Sequence, residues 1–202
     1  WYSLFHSISA FCNAGFDLFG IKEPFSSLTF YHSNSYLNII IMLLIITGGI
    51  GFLVWGDIGT HKHRIRRYSL QSKVVLMTSA VLIVLPALYF FFCEYDHETI
   101  HDRTIHSLFQ SVTTRTAGFN TTDLAAMDES GTAIMIILML IGGSPGSTAG
   151  GMKTATFAVL FLSAITVFSR RNDVQCFKRR ISDENVRSAG AVLFMYLVLF
   201  FT

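Results

Sequence analysis

Three stretches of the sequence hold residue types whose spacing could do chemistry. The first is a matched pair. Ser3-Leu4-Phe5-His6-Ser7 leads to Asn13-Ala14-Gly15-Phe16-Asp17, and Ser107-Leu108-Phe109-Gln110-Ser111 leads to Thr116-Ala117-Gly118-Phe119-Asn120. The copies slip by one position, since Ser7 lies eight residues before Gly15 and Ser111 seven before Gly118. Glycine opens backbone conformations closed to other residues, and successive carbonyls turned to one side can replace a cation's hydration shell. The second stretch is Gly142-Gly143-Ser144-Pro145-Gly146-Ser147-Thr148-Ala149-Gly150-Gly151-Met152-Lys153. It hints at a phosphate loop, but Met152 separates Gly151 from Lys153 and no strand precedes it. The third, His97-Glu98-Thr99-Ile100-His101, matches a zinc-protease pattern. In that pattern two His share a helical face and the Glu activates metal-bound water. Asp123 or Glu129 would have to supply a third ligand.

Composition decides what must position these residues. The 202-residue chain is 51% hydrophobic and 14% aromatic but only 14% charged, against about 25% charged in a soluble domain. It is expected to be an integral membrane protein. A formal charge of +2 excludes a nucleic-acid binder, and three widely spaced Cys imply no disulfide framework. Tyr36–Trp55 and Val74–Cys93 each run about twenty residues without a charge, which predicts two ordinary spans. Pro86 is tolerable in the second. Thr132–Phe168 would make a helix of roughly 55 Å against a hydrocarbon core of about 30 Å. Five Gly and a Pro fall in its middle ten residues, Gly142–Gly151. Two helical pieces joined by an unwound segment at membrane depth are therefore predicted. The chain opens on Trp1 without a Met and closes inside an apolar run too short to span, so a fragment of a longer polytopic protein is expected.

Charge sets the orientation. The loop 61–73 holds Lys62, Arg64, Arg66, Arg67 and Lys73, and the loop 169–187 holds Arg170, Arg171, Lys178, Arg179, Arg180 and Arg187. These are expected in the cytoplasm, with Glu94, Asp96, Glu98 and Asp102 outside. Segments 1–17 and 104–123 then lie on the outer side, too short to cross. Each reads as a re-entrant helix whose C-terminal carbonyls favour a cation. The acidic mouth would gather cations. Arg115 should point away from the axis, paired with an acid such as Asp123 or one from a repeat missing from this chain. His6 and His106 belong in pore-helix packing, while Asp17 and Asn120 order the backbone or face the mouth. The hydroxyls of Ser144, Ser147 and Thr148 are expected to serve the loop's own backbone. Lys153 is read as a snorkelling cation or a cation-repelling part of a gate.

At these residues the chain resembles the Trk/Ktr/HKT superfamily of potassium transporters, most closely the bacterial KtrB-type membrane subunit. The resemblance implies an all-α integral membrane fold of span–pore-loop–span repeats of potassium-channel type. Residues 1–60 would be the pore loop and inner helix of a second repeat, 61–73 a cytoplasmic basic loop, and 74–168 the third repeat. Residues 169–187 would be a further cytoplasmic loop and 188–202 the start of a fourth repeat. Asn13, Ala14, Gly15 and Phe16 would form one filter wall, with Thr116, Ala117, Gly118 and Phe119 another, and residues 142–153 the gate. Potassium is the implied cargo and sodium an activator, with nucleotide bound only on a partner. The implied partners are the lipid bilayer, a second copy in a homodimer, and a cytosolic nucleotide-binding ring of the KtrA/TrkA type. The implied location is a bacterial plasma membrane, multi-pass, and the implied role is transport without enzymatic activity. A competing reading is a secondary transporter that binds substrate at the break in 132–168.

Overall fold

A computed structural model describes residues 1–21, 26–170, 173–177 and 179–201. Arg171 and Lys178 of the second basic loop lie outside the described residues. The helices are α1 (Tyr2–Phe11), α2 (Ser35–Ile50), α3 (Phe52–His61), α4 (Leu70–Tyr89), α5 (Ile100–Thr113), α6 (Glu129–Leu140), α7 (Thr154–Phe168) and α8 (Asp183–Phe201). A two-stranded antiparallel hairpin, β1 (Gln175–Cys176) and β2 (Arg179–Arg180), interrupts the basic loop before α8, so the fold is not purely helical.

Local chemistry sets the helix starts. The side chains of Asn34, Ser69 and Thr99 accept hydrogen bonds from the backbone N–H groups of Leu37, Ser72 and Asp102, capping α2, α4 and α5. Pro86 lies within α4, which runs on through a π-helical turn, Phe90–Glu94. Leu70–Glu94, at 25 residues, is the one unbent helix among the described residues long and apolar enough to cross a bilayer.

The expected span Tyr36–Trp55 is not one straight helix. It breaks at Gly51, and α2 and α3 meet at 92°. Gly51 has φ +94°, and a Cβ there would stand 2.7 Å from Pro145 O. Phe52 N–H donates to Gly146 O at 2.9 Å, so a segment remote in sequence occupies the bend. The predicted break in 132–168 is present, separating α6 from α7.

Two apolar clusters hold these elements together. Ala10, Ile45, Phe109 and Phe119 join α1, α2 and α5, while Leu82, Phe90, Leu138 and Met152 join α4, α6 and the Gly-rich segment. Leu43, Leu53, Leu85, Phe161 and Phe168 stand exposed on the outside. Apolar surface this widespread suits lipid rather than water.

Candidate functional site: paired tetrapeptides over a glycine-rich loop

Helices α1 and α5 each end just before one of the matched tetrapeptides. In both, the first and third residues carry positive φ: Asn13 +52° and Gly15 +71°, Thr116 +77° and Gly118 +82°. Reversing the sign of φ at alternate residues turns every second peptide over. Carbonyls that would alternate in a strand then fall on one side. The N–H groups turn back to the helices: Asn13 N donates to Ala10 O, Ala14 N to Ser9 O, and Ala117 N and Gly118 N to Thr113 O. Among the described residues, no donor reaches the carbonyls of Asn13, Ala14, Gly15, Thr116, Ala117 or Gly118. A matching clamp closes each copy, with Ser9 Oγ donating to Phe16 O and Thr113 Oγ1 to Phe119 O, both at 2.8 Å. Ser9 and Thr113 escaped the sequence reading, although each is a hydroxyl residue two positions beyond the matched Ser7 and Ser111. The tetrapeptides are neighbours, and a Cβ on Gly15 would stand 2.1 Å from Ala117 O.

The Gly-rich loop lies against both. Gly142 N donates to Met152 O and Gly143 N to Gly150 O, which folds the loop back on itself. Ser144 N donates to Gly49 O and Thr148 N to Gly48 O, docking it on α2. Thr148 Oγ1 donates to Phe11 O at 2.8 Å and accepts from Asn13 Nδ2 at 3.2 Å. On the other side, a Cβ on Gly151 would lie 3.3 Å from Thr116 Cγ2. Small residues are required at these contacts, since a Cβ on Gly48 would stand 1.9 Å from Phe11 O and one on Gly142 1.8 Å from Gly150 O.

The loop's hydroxyls differ from expectation. The three hydroxyls do not serve the loop's own backbone: Thr148 bonds to α1, Ser144 Oγ accepts from Thr154 Oγ1, and Ser147 Oγ has no partner among the described residues. Lys153 Nζ donates to Ala149 O at 2.8 Å and so braces the loop from within. Arg115 is buried at 9% exposure with its Nε unpartnered among the described residues, and Asp123 accepts instead from Ala125 N. Asp17 likewise caps its own turn, accepting from Phe19 N. His6 stacks on Phe19 at 4.6 Å as a packing residue.

The zinc pattern is not assembled. Thr99 caps α5, so His97 and Glu98 precede the helix and share no face with His101. His101 Nε2 pairs with Ser35 Oγ, His97 is 73% exposed beside Asp96, and Glu98 binds His106. Among the described residues, no three His, Cys, Asp or Glu side chains group to hold a metal ion. The basic loop also holds a surprise: the carboxylate of Asp57 on α3 accepts from Ser69 N at 3.0 Å and Ser72 Oγ at 2.6 Å, tying α3 to the start of α4.

Comparison with known proteins agrees with this architecture. A family model described as TrkH, cation transport protein, matches residues 1–202. The chain is 38% identical to the potassium/sodium uptake protein NtpJ of Enterococcus hirae, over 98% of this chain and 44% of that protein. It is 37% identical to the Ktr system potassium uptake protein B of Bacillus subtilis, over 98% of this chain and 45% of that protein. The fold superposes on the crystal structure of the potassium transporter TrkH from Vibrio parahaemolyticus with a TM-score of 0.79 at 19% identity, covering 98% of this chain and 43% of the other. The chain thus spans under half the length of the curated relatives it matches. With the family model matched from end to end, the chain belongs to the TrkH cation transport protein family.

Proposed function

We propose that this chain forms part of a multi-pass potassium-uptake subunit of the bacterial cell membrane. The two tetrapeptides supply two walls of a carbonyl-lined path, and residues 142–153 act as the gate beneath them. One observation carries this reading: left-handed residues at the same two positions of both tetrapeptides, with carbonyls that accept no hydrogen bond among the described residues. Carbonyls free of donors replace the hydration shell of an entering cation. The partial negative charge at the C-termini of α1 and α5 adds to the attraction. The loop's contacts with both tetrapeptides support its role as a gate, since moving it changes the floor under both at once. Glycine in both copies and the names of the potassium-uptake relatives favour potassium as cargo, with sodium as an activator. By the same likeness the whole subunit pairs as a homodimer and docks on a cytosolic ring that binds the nucleotide.

Gly118→Asp in the full-length transporter tests the reading. The side chain forces φ +82° on a non-glycine residue and sets a carboxylate among the carbonyls. Growth of potassium-starved cells is expected to fall to the level of cells without the transporter, with the protein still present in the membrane. Full rescue would overturn the assignment.

A further inference from the structure

His106, midway along α5, is 4% exposed with both ring nitrogens engaged. Nδ1 lies 2.7 Å from Glu98 Oε2, and Nε2 lies 3.2 Å from the carbonyl oxygen of His32. A carbonyl only accepts, and so does an ionised carboxylate, whereas a neutral imidazole has a single N–H to give. Making both bonds takes one proton more than a neutral His and an ionised Glu hold between them.

We propose that His106 and Glu98 form a proton-binding site on the outer side, whose occupancy latches the segment around His32 onto pore helix α5. The geometry described is the protonated state. When the proton leaves, one ring nitrogen turns a lone pair on an acceptor. The charge-assisted bond to Glu98 is the stronger of the two, so the contact to His32 is the one lost. The Glu98 side chain is 21% exposed and gives the proton its route to water.

The latch is joined to the second tetrapeptide at both ends. α5 leads through Thr114 and Arg115 into Thr116–Phe119. The segment before His32 holds the tetrapeptide's exit, with Leu28 N donating to Asn120 O and Ser27 Oγ accepting from Asn120 N. Between them lies a cavity of about 590 Å³ walled by Thr29, His32, Glu98, His106, Asn120 and Asp123. The other titratable groups around His106 leave the proton to this pair. Tyr95, 5.9 Å away, has its phenol pushed up to about 12 by burial and stays neutral. The His32 ring stands 6.2 Å off, and Asp123 lies across the cavity, engaged with Ala125 N. On the α5 side, Asp102 bonds to Thr99, His101 to Ser35, and Arg103 turns to Phe91.

Nitrogen-15 histidine spectra of the full-length transporter in lipid nanodiscs test the site, with the His106 signals identified by their loss in His106→Gln. Both ring nitrogens are expected to be protonated at the acidic end of a pH series. A one-proton form should replace this on raising the pH, and Glu98→Gln should shift the transition. A His106 that holds one proton throughout the series would overturn the proposal. The site stands on hydrogen-bond geometry alone; only its effect on flux rests on the transport reading, which a second measurement addresses. Rubidium uptake should change about five-fold as external pH is raised through the spectral transition. Glu98→Gln should flatten that profile and the exposed Asp96→Asn should preserve it. A Glu98→Gln profile like the wild type would show that the latch does not govern transport.

Discussion

Gly15 meets two demands that no other side chain satisfies together. Its φ of +71° lies in the left-handed region, and its missing Cβ leaves room for Ala117 O, which would otherwise stand 2.1 Å away. The conformational cost of a side chain there is about 1–2 kcal/mol, and the overlap is with backbone, which cannot rotate aside. Gly15→Ala is therefore expected to push the tetrapeptides apart and to lower rubidium uptake at least ten-fold without loss of membrane-inserted protein. Gly20→Ala is the matched control, since nothing lies within 4 Å of a Cβ at that position. Equal uptake by the two variants would show that the close approach of Gly15 to Ala117 is dispensable. The residues in these tetrapeptides were legible because the same pattern occurs twice. Their clamps were not, because Ser9 and Thr113 act through hydroxyl bonds that depend on the turn beyond each helix. Arg115 does not meet Asp123, the acid that charge suggests within this chain: two residues past the end of α5 it is buried, with no ion pair among the described residues.

Among the elements, the broken helix and the bent helix form one device. The break between α6 and α7 could be read from composition, since five Gly and a Pro in ten residues, Gly142–Gly151, cannot sustain a helix. The bend at Gly51 could not, because its cause is the Pro145–Gly146 backbone seated in the angle between α2 and α3. Hydropathy over Tyr36–Trp55 carries no trace of that distant contact. The zinc pattern failed on the boundary of an element: Thr99 starts α5 in the middle of the motif. The Thr148 hydroxyl is the polar tie between the loop and α1. Thr148→Val keeps the shape and removes that bond and the one accepted from Asn13 Nδ2, a loss of about 0.5–1.5 kcal/mol each. The loop should leave its docked position more often, raising basal rubidium leak several-fold while maximal uptake changes little. Unaltered leak would mean that the loop's backbone bonds, to Gly48, Gly49 and Phe52, suffice to hold it.

Across the whole molecule, the two matched units are not equivalent in their surroundings. Phe119 is fully buried, packed in the cluster that joins α1, α2 and α5, with its ring 6.4 Å from His6. Phe16 holds the same place in the first unit and is 71% exposed. The second unit thus rests its tetrapeptide on the first, while the corresponding face of the first is bare. If units succeed one another around an axis by the same contact, the bare face takes a further unit, in keeping with relatives more than twice this chain's aligned share. That arrangement makes a quantitative contrast. In this chain, Phe119→Ala should cost about 3–5 kcal/mol and lower the thermal unfolding midpoint, whereas Phe16→Ala should leave it nearly unchanged. In the full-length transporter, Phe16→Ala should become as damaging as Phe119→Ala, because its ring is then enclosed. A Phe16→Ala variant that is silent in both settings would mean that successive units do not repeat the contact seen between these two, and that the path has some other closure.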